Sequence, residues 1–200
     1  MPRCVVFDLG GVLIDWDPRY LYRKLLSDEA EIERFLATVC TPEWNALQDG
    51  GRPIAEATRS LVAEWPEHAS LIQAYYTRWT EMIAGQINET VDVLRELKRR
   101  GTPLYALTNW SAETFPLVEH QYQFMGWFKG ILVSGREHLK KPDPRIFRLL
   151  LRRYGLTASN TLFIDDNADN VRSALSLGIV ALRFTSARNL RSSLIRLGVL

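Results

Sequence analysis

The feature that most constrains this chain is a set of short β-type runs that end on polar or charged residues. Runs at 4–9, 104–108, 130–134, 161–165 and 179–184 lack two-residue alternation. Strands without alternation are buried on both faces, as in a parallel sheet covered by helices. Helical patterns separate the runs from about residue 88 onward. Residues 89–100 carry Val91, Leu94 and Leu97 on one face and stop at Gly101. Asp143-Pro144 reads as a helix start before Ile146, Phe147 and Leu150, with Gly155 past the end, and a shorter helix at 170–177 stops at Gly178. The alternation predicts an α/β fold, a doubly wound parallel sheet with right-handed crossovers.

The first strand stands apart from the others. Residues 15–87 contain no convincing strand; the segment reads as helical at 20–26, 32–39, 54–63 and 71–83, divided by Pro42, Gly50-Gly51-Arg52-Pro53 and Trp65-Pro66. This predicts a core made of 1–14 and 88–200, with a helical domain at 15–87 inserted after the first strand.

Composition narrows the functional classes. Apolar content of 46% and charged content of 24% describe an ordinary globular protein, and a net charge of +2 gives no sign of a nucleic-acid partner. The basic clusters Lys98-Arg99-Arg100 and Arg152-Arg153 fall at helix ends, where they complement the helix dipole. No stretch approaches 18 uninterrupted apolar residues, so no membrane association is expected. Cys4 and Cys40 are isolated, which fits a reducing, cytoplasmic setting, and His68, His120 and His138 lack ligand spacing.

Ligands in open α/β sheets gather beyond the carboxyl ends of the strands. Here those ends carry Asp8, then Thr108-Asn109, then Lys140-Lys141 after a loop, then Asp165-Asp166. Three carboxylates pressed together repel, so a divalent cation is the expected compensation, and oxygen ligands suit Mg²⁺. Such a cation leaves room for a phosphate, with Lys141 and Thr108 donating to it. Asp8 is then placed to attack phosphorus and form an aspartyl-phosphate.

These residues resemble the four motifs of the haloacid dehalogenase-like hydrolases: FDLGGVLID (Asp8), LTN (Thr108, Asn109), KKPDPRIF (Lys141) and FIDDNADNV (Asp165, Asp166). The resemblance implies a Rossmann-like core, with 15–87 as a helical cap. It implies a phosphatase acting on a small phosphorylated metabolite, a sugar phosphate among the candidates, and a subgroup resembling glucose-1-phosphate phosphatases carries a similar DLGN or DLGG turn. Asp8 would be the nucleophile and a Mg²⁺ ligand, with Thr108 and the Asn109 region at the phosphoryl group and Lys141 neutralising charge. Asp166 would be a direct metal ligand together with the Gly10 carbonyl. Asp165 would bind through water or orient the site, with Asn170 nearby.

Gly10 departs from the family pattern, in which a second Asp two residues after the nucleophile protonates the leaving group. Two alternatives stand beside the phosphatase: a haloacid dehalogenase that attacks carbon without metal, with which Asp165-Asp166 and Gly10 both disagree, and a catalytically weak binding protein on the same scaffold, for which Gly10 is the only argument. Trp44 and Trp110 are candidate substrate contacts, with Asp49 and Arg52 as polar candidates. Tyr75 and Trp79 read as core, and Asp15 is a possible replacement for the missing acid. Both a monomer and a homodimer are compatible with the sequence.

Overall fold

The computed structural model describes residues 2–200. The chain runs β1 (Cys4–Phe7), β2 (Ile14–Trp16), α1 (Arg19–Tyr22), α2 (Glu29–Thr38), α3 (Pro42–Asp49), α4 (Ile54–Glu64), α5 (Ala69–Thr77) and β3 (Ile83–Gln86). It continues through α6 (Asn88–Arg99), β4 (Leu104–Thr108), β5 (Ile131–Val133), α7 (Ser134–Glu137) and α8 (Pro144–Tyr154). It closes with β6 (Thr161–Asp165), α9 (Ala168–Ser176), β7 (Val180–Arg183) and α10 (Ala187–Arg196). Five strands form one sheet in the order β5-β4-β1-β6-β7, and every pairing in it is parallel.

β1 occupies the centre, and both of its faces are dry. Val5 and Phe7 enter one core with Leu94 and Leu97 of α6 and Leu190 and Leu194 of α10. Val6 enters the other core with Ile146, Phe147 and Leu150 of α8 and Ala174 of α9. This two-sided burial is why the strand shows no alternation; each large apolar side chain so buried contributes about 1.5–3 kcal/mol. α8 is capped at its start by Asp143, whose carboxylate accepts from the Arg145 amide, and at its end by Gly155 in the left-handed region.

Residues 15–87 depart from the strand-free reading. β2 and β3 pair antiparallel as a two-stranded ribbon, with Ile14 opposite Gln86 and Asp15 opposite Gly85. Strands of three and four residues, one holding a glycine at φ 140°, are too short to show a period. The helix expected over 71–83 stops at Thr77, and Trp79–Met82 form a 3-10 turn leading into β3. Pro42 starts a helix rather than dividing two: it holds the first position of α3, and the Thr41 side chain accepts from the Trp44 amide. Helices α1–α5 all lie between the two ribbon strands. No helix among the described residues is long and apolar enough to cross a membrane.

The C-terminus of α3 is fastened to the main sheet's connections. Ser134 Oγ, just after β5, donates to the Asp49 carbonyl at 2.5 Å and accepts from the Trp110 amide at 2.9 Å. Gly135 makes the approach possible, because a Cβ there would meet the backbone of Ser111 and Ala112 and lie 2.8 Å from the Trp110 carbonyl oxygen. Gly135→Ala is therefore expected to cost about 1–3 kcal/mol by overpacking against backbone. A melting temperature lowered by about 2–10 °C is the expected reading. Gly126→Ala, whose Cβ would meet nothing within 4 Å, should stay within about 0.5 kcal/mol of wild type; equal melts for both variants would contradict this packing account.

Candidate active site

Because β1 lies between β4 and β6, the residues at those three strand ends become neighbours. Asp8, Thr108, Asp165 and Lys141 are all buried. The Lys141 ammonium pairs with Asp8 Oδ1 at 2.9 Å and Asp165 Oδ2 at 2.7 Å, and donates to the Leu107 carbonyl at 2.9 Å. Three N–H groups thus meet three acceptors, which is all an ammonium can satisfy. Asn109 holds the same residue by its backbone: its Oδ1 accepts from the Lys141 amide at 2.8 Å and its Nδ2 donates to the Lys141 carbonyl at 2.9 Å.

The two aspartates at Lys141 differ in what else they do. Asp165 also accepts from the Asn167 amide at 2.8 Å and from Asn170 Nδ2 at 3.0 Å on both oxygens. With the lysine, its carboxylate is saturated. Asp8 Oδ1 takes the Leu9 amide at 2.8 Å as well as Lys141. Oδ2 of Asp8 has no protein partner among the described residues. The Asp166 carboxylate reaches the cluster over Gly11, whose φ is 72° and whose Cβ would come 2.8 Å from Asp166 Oδ2. Each of Asp8, Asp165 and Asp166 offers an oxygen within 4.8 Å of the others.

The electrostatics follow from this crowding. Burial pushes the Asp8 carboxyl above its ordinary value; Lys141 opposes that, while the charges of Asp165 and Asp166 add to it. Asp166 is raised by burial and by Asp165. Burial works against the charge on Lys141, but Asp8 and Asp165 outweigh it and hold the ammonium protonated above the usual lysine range. One buried cation thus faces three carboxylates.

Beside the cluster lies a cavity of about 70 Å³. Gly10 and Asn109 line it from the sheet edge, and Asn45 and Asp49 from α3. Trp16, Tyr76, Trp79 and Trp110 supply aromatic walls, with the Trp79 and Trp110 rings 5.2 Å apart. The indole N–H groups of Trp16 and Trp110 and the Thr114 hydroxyl, all from cavity-lining residues, have no hydrogen-bond partner among the described residues. Buried donors left this way are commonly satisfied by water or a ligand.

The expected contacts divide accordingly. Trp110 and Asp49 line the cavity. Trp44 does not: it sits in α3, edge-on to Tyr75 at 5.2 Å and against Tyr76 at 5.4 Å, as part of an aromatic core. Arg52 pairs with Glu56 and donates to Ser60. Asp15 accepts the Tyr20 hydroxyl at 3.0 Å on both oxygens and does not line the cavity, so it does not stand in for an acid at Gly10. Tyr75 and Trp79 are both core as expected, and Trp79 also forms a wall of the cavity. Asn45, Tyr76 and Trp16 are additional wall residues without a motif of their own; α3, α5 and the ribbon strand β2 place them.

Residues 2–178 match the haloacid dehalogenase-like hydrolase family, and the chain belongs to it. It is similar to the sesquiterpene phosphatase astK of Aspergillus oryzae, 28% identical over 186 residues that cover 92% of this chain and 91% of that one. The phosphoglycolate phosphatase of Pseudomonas putida is 26% identical over 204 residues, covering 94% and 71%. Among solved structures, the magnesium complex of a HAD family enzyme from Bacteroides thetaiotaomicron aligns with a TM-score of 0.72 at 23% identity, covering 98% of both chains. The chain is a hydrolase on this α/β scaffold.

Asp49 is the cavity's unusual group. Burial pushes its carboxyl up to about 7, against Lys140, the Ser111 amide and Lys141. An unfolded Asp titrates near about 3.9. Between those values the folded state keeps a proton that the unfolded chain has released, so this group's contribution to stability is lost as pH rises through the window. Asp49→Asn removes that penalty. Its stability relative to wild type, from urea unfolding, should rise between pH 5 and pH 8; a difference independent of pH would contradict the raised carboxyl.

Proposed function

We propose that the chain is a Mg²⁺-dependent phosphatase of a small phosphate monoester, working through an aspartyl-phosphate on Asp8. The carrying observation is the charge imbalance at the sheet edge: three carboxylates with oxygens within 4.8 Å and one buried lysine to balance them. A carbon-attacking dehalogenase has no need of the second and third carboxylates, so the cluster favours phosphoryl transfer. The phosphatase names of two relatives support the same reading.

The donor set fits a hard divalent cation, since all three side chains offer oxygen. Asp8, Asp166 and the Gly10 carbonyl would hold it, while the saturated Asp165 holds Lys141 in place. Bound there, the ion supplies positive charge against the carboxylates and the incoming phosphate. Asp8, fixed through Oδ1, presents Oδ2 to phosphorus. Lys141 draws Asp8 toward its ionised form against the burial that raises its carboxyl, Asn109 fixes Lys141, and Thr108 donates to a phosphoryl oxygen. The helical segment 15–87 acts as a cap on a core of 1–14 and 88–200.

The cavity points to the leaving group. At about 70 Å³, with aromatic walls and unpartnered N–H and O–H donors, it suits a small hydroxylated residue such as that of a sugar phosphate. Asp8→Asn should lower phosphatase turnover at least about 10³-fold, the scale of losing a nucleophile. Chelation should abolish turnover, and added Mg²⁺ should restore it. Undiminished turnover by Asp8→Asn would remove the nucleophile assignment. Calorimetry gives a second reading: Asp166→Asn should weaken Mg²⁺ binding, and unchanged binding would contradict the ligand set.

A further inference from the structure

Gly10 stands two residues after Asp8, and nothing in the structure forces a glycine there. A Cβ would meet nothing within 4 Å, and its φ is not in the left-handed region. Position 10 therefore has room for an acidic side chain and carries none. An alkoxide leaving group still needs a proton, and general acid help is worth about 10²–10⁴ in rate.

The cavity that Gly10 lines contains one carboxyl group, that of Asp49 on α3. Its placement is held from two sides. Its backbone carbonyl takes the Ser134 hydroxyl, which also binds the Trp110 amide beside Asn109. Its Oδ2 accepts from Asn45 Nδ2 at 3.2 Å, and Asn45 Oδ1 in turn accepts from the Tyr76 hydroxyl at 3.0 Å. Gly50 and Gly51 let the helix end come down onto Lys140 and His138, where a Cβ at Gly51 would overlap the His138 ring. The charge of Lys141, already bonded to Asp8, also acts on Asp49.

We propose that Asp49 performs, from the helical segment, the proton transfers for which Gly10 offers no side chain. This rests on the phosphatase reading above. In the first step Asp8 Oδ2 bonds to phosphorus and the ester P–O bond breaks. Its electron pair stays on the leaving oxygen, which takes the proton of the Asp49 carboxyl and departs as an alcohol. In the second step the Asp49 carboxylate takes a proton from water as the water oxygen bonds to phosphorus. The P–O bond to Asp8 breaks, its electron pair returns to the Asp8 carboxylate, and phosphate leaves with Asp49 protonated again. The charged groups facing Asp49 are Lys140 and Lys141, and the titratable phenols of Tyr75 and Tyr76 lie on α5. Burial holds the carboxyl at about 7 despite both lysines, so each protonation state is populated near neutral pH, as a group that gives and then recovers a proton requires.

The test compares wild type, Asp49→Asn, Gly10→Asp and the double variant, with Mg²⁺, on p-nitrophenyl phosphate and on glycerol phosphate. With glycerol phosphate, Asp49→Asn should lose about 10²-fold in kcat/KM and flatten the pH profile near 7. With the aryl ester, whose leaving group needs little protonation, the loss in kcat/KM should be at least about tenfold smaller. Adding Gly10→Asp to Asp49→Asn should recover about tenfold or more on glycerol phosphate. Equal losses on the two esters, an unchanged pH profile, or no recovery in the double variant would overturn the proposal while wild-type turnover leaves the phosphatase reading standing. A wild-type protein that hydrolyses neither ester would overturn that reading and this proposal together.

Discussion

The buried Lys141 ammonium ties Asp8 to Asp165 and caps the Leu107 carbonyl. Taking ions out of water costs several kcal/mol each, and only close pairing with complete hydrogen bonding offsets it. Asp165 meets that condition fully through Lys141, Asn167 and Asn170. Asp8 meets it halfway, with one oxygen fixed and the other open. The lysine thus lets two carboxylates sit buried at the end of the central strands while leaving one oxygen of Asp8 open.

The geometry around that lysine depends on strand order. Placing β1 between β4 and β6 brings Asp8, Thr108 and Asp165 side by side, and Asn109 then secures the loop that delivers Lys141. Glycines act where backbones or carboxylates must approach. Gly11 admits the Asp166 carboxylate, and Gly135 admits the loop after β4. The same loop and Ser134 receive the end of α3. The residue that clamps Lys141, Asn109, is thus followed directly by Trp110, whose amide binds the Ser134 hydroxyl that holds the end of α3.

The parallel sheet was legible because its signals are local: unalternating strand runs, Asp143-Pro144 at a helix start and Gly155 at its end. The convergence of Asp8, Thr108, Lys141 and Asp165-Asp166 was legible because each follows a strand. The ribbon was not, since β2 and β3 are shorter than any period, and the Thr41-Pro42 helix start was hidden by reading the proline as a break. Trp44 fell with it: once α3 exists, its spacing turns Trp44 toward Tyr75 and leaves Asn45 and Asp49 to the cavity. What Asp165 and Asn109 do could not be read from spacing, because saturation of a carboxylate and clamping of a peptide depend on partners 24 and 32 residues away.

In the proposed reaction Asp8, held by Lys141 through one oxygen, uses the other to accept a phosphoryl group. Rapid acid quenching of the protein during turnover of p-nitrophenyl phosphate, followed by peptide mass spectrometry, tests it most directly. The expected result is a phosphoryl group on the peptide carrying Asp8, present during turnover and gone once substrate is exhausted. Turnover with no phosphoryl group on that peptide at any quench time, or with the group on another residue, would contradict it.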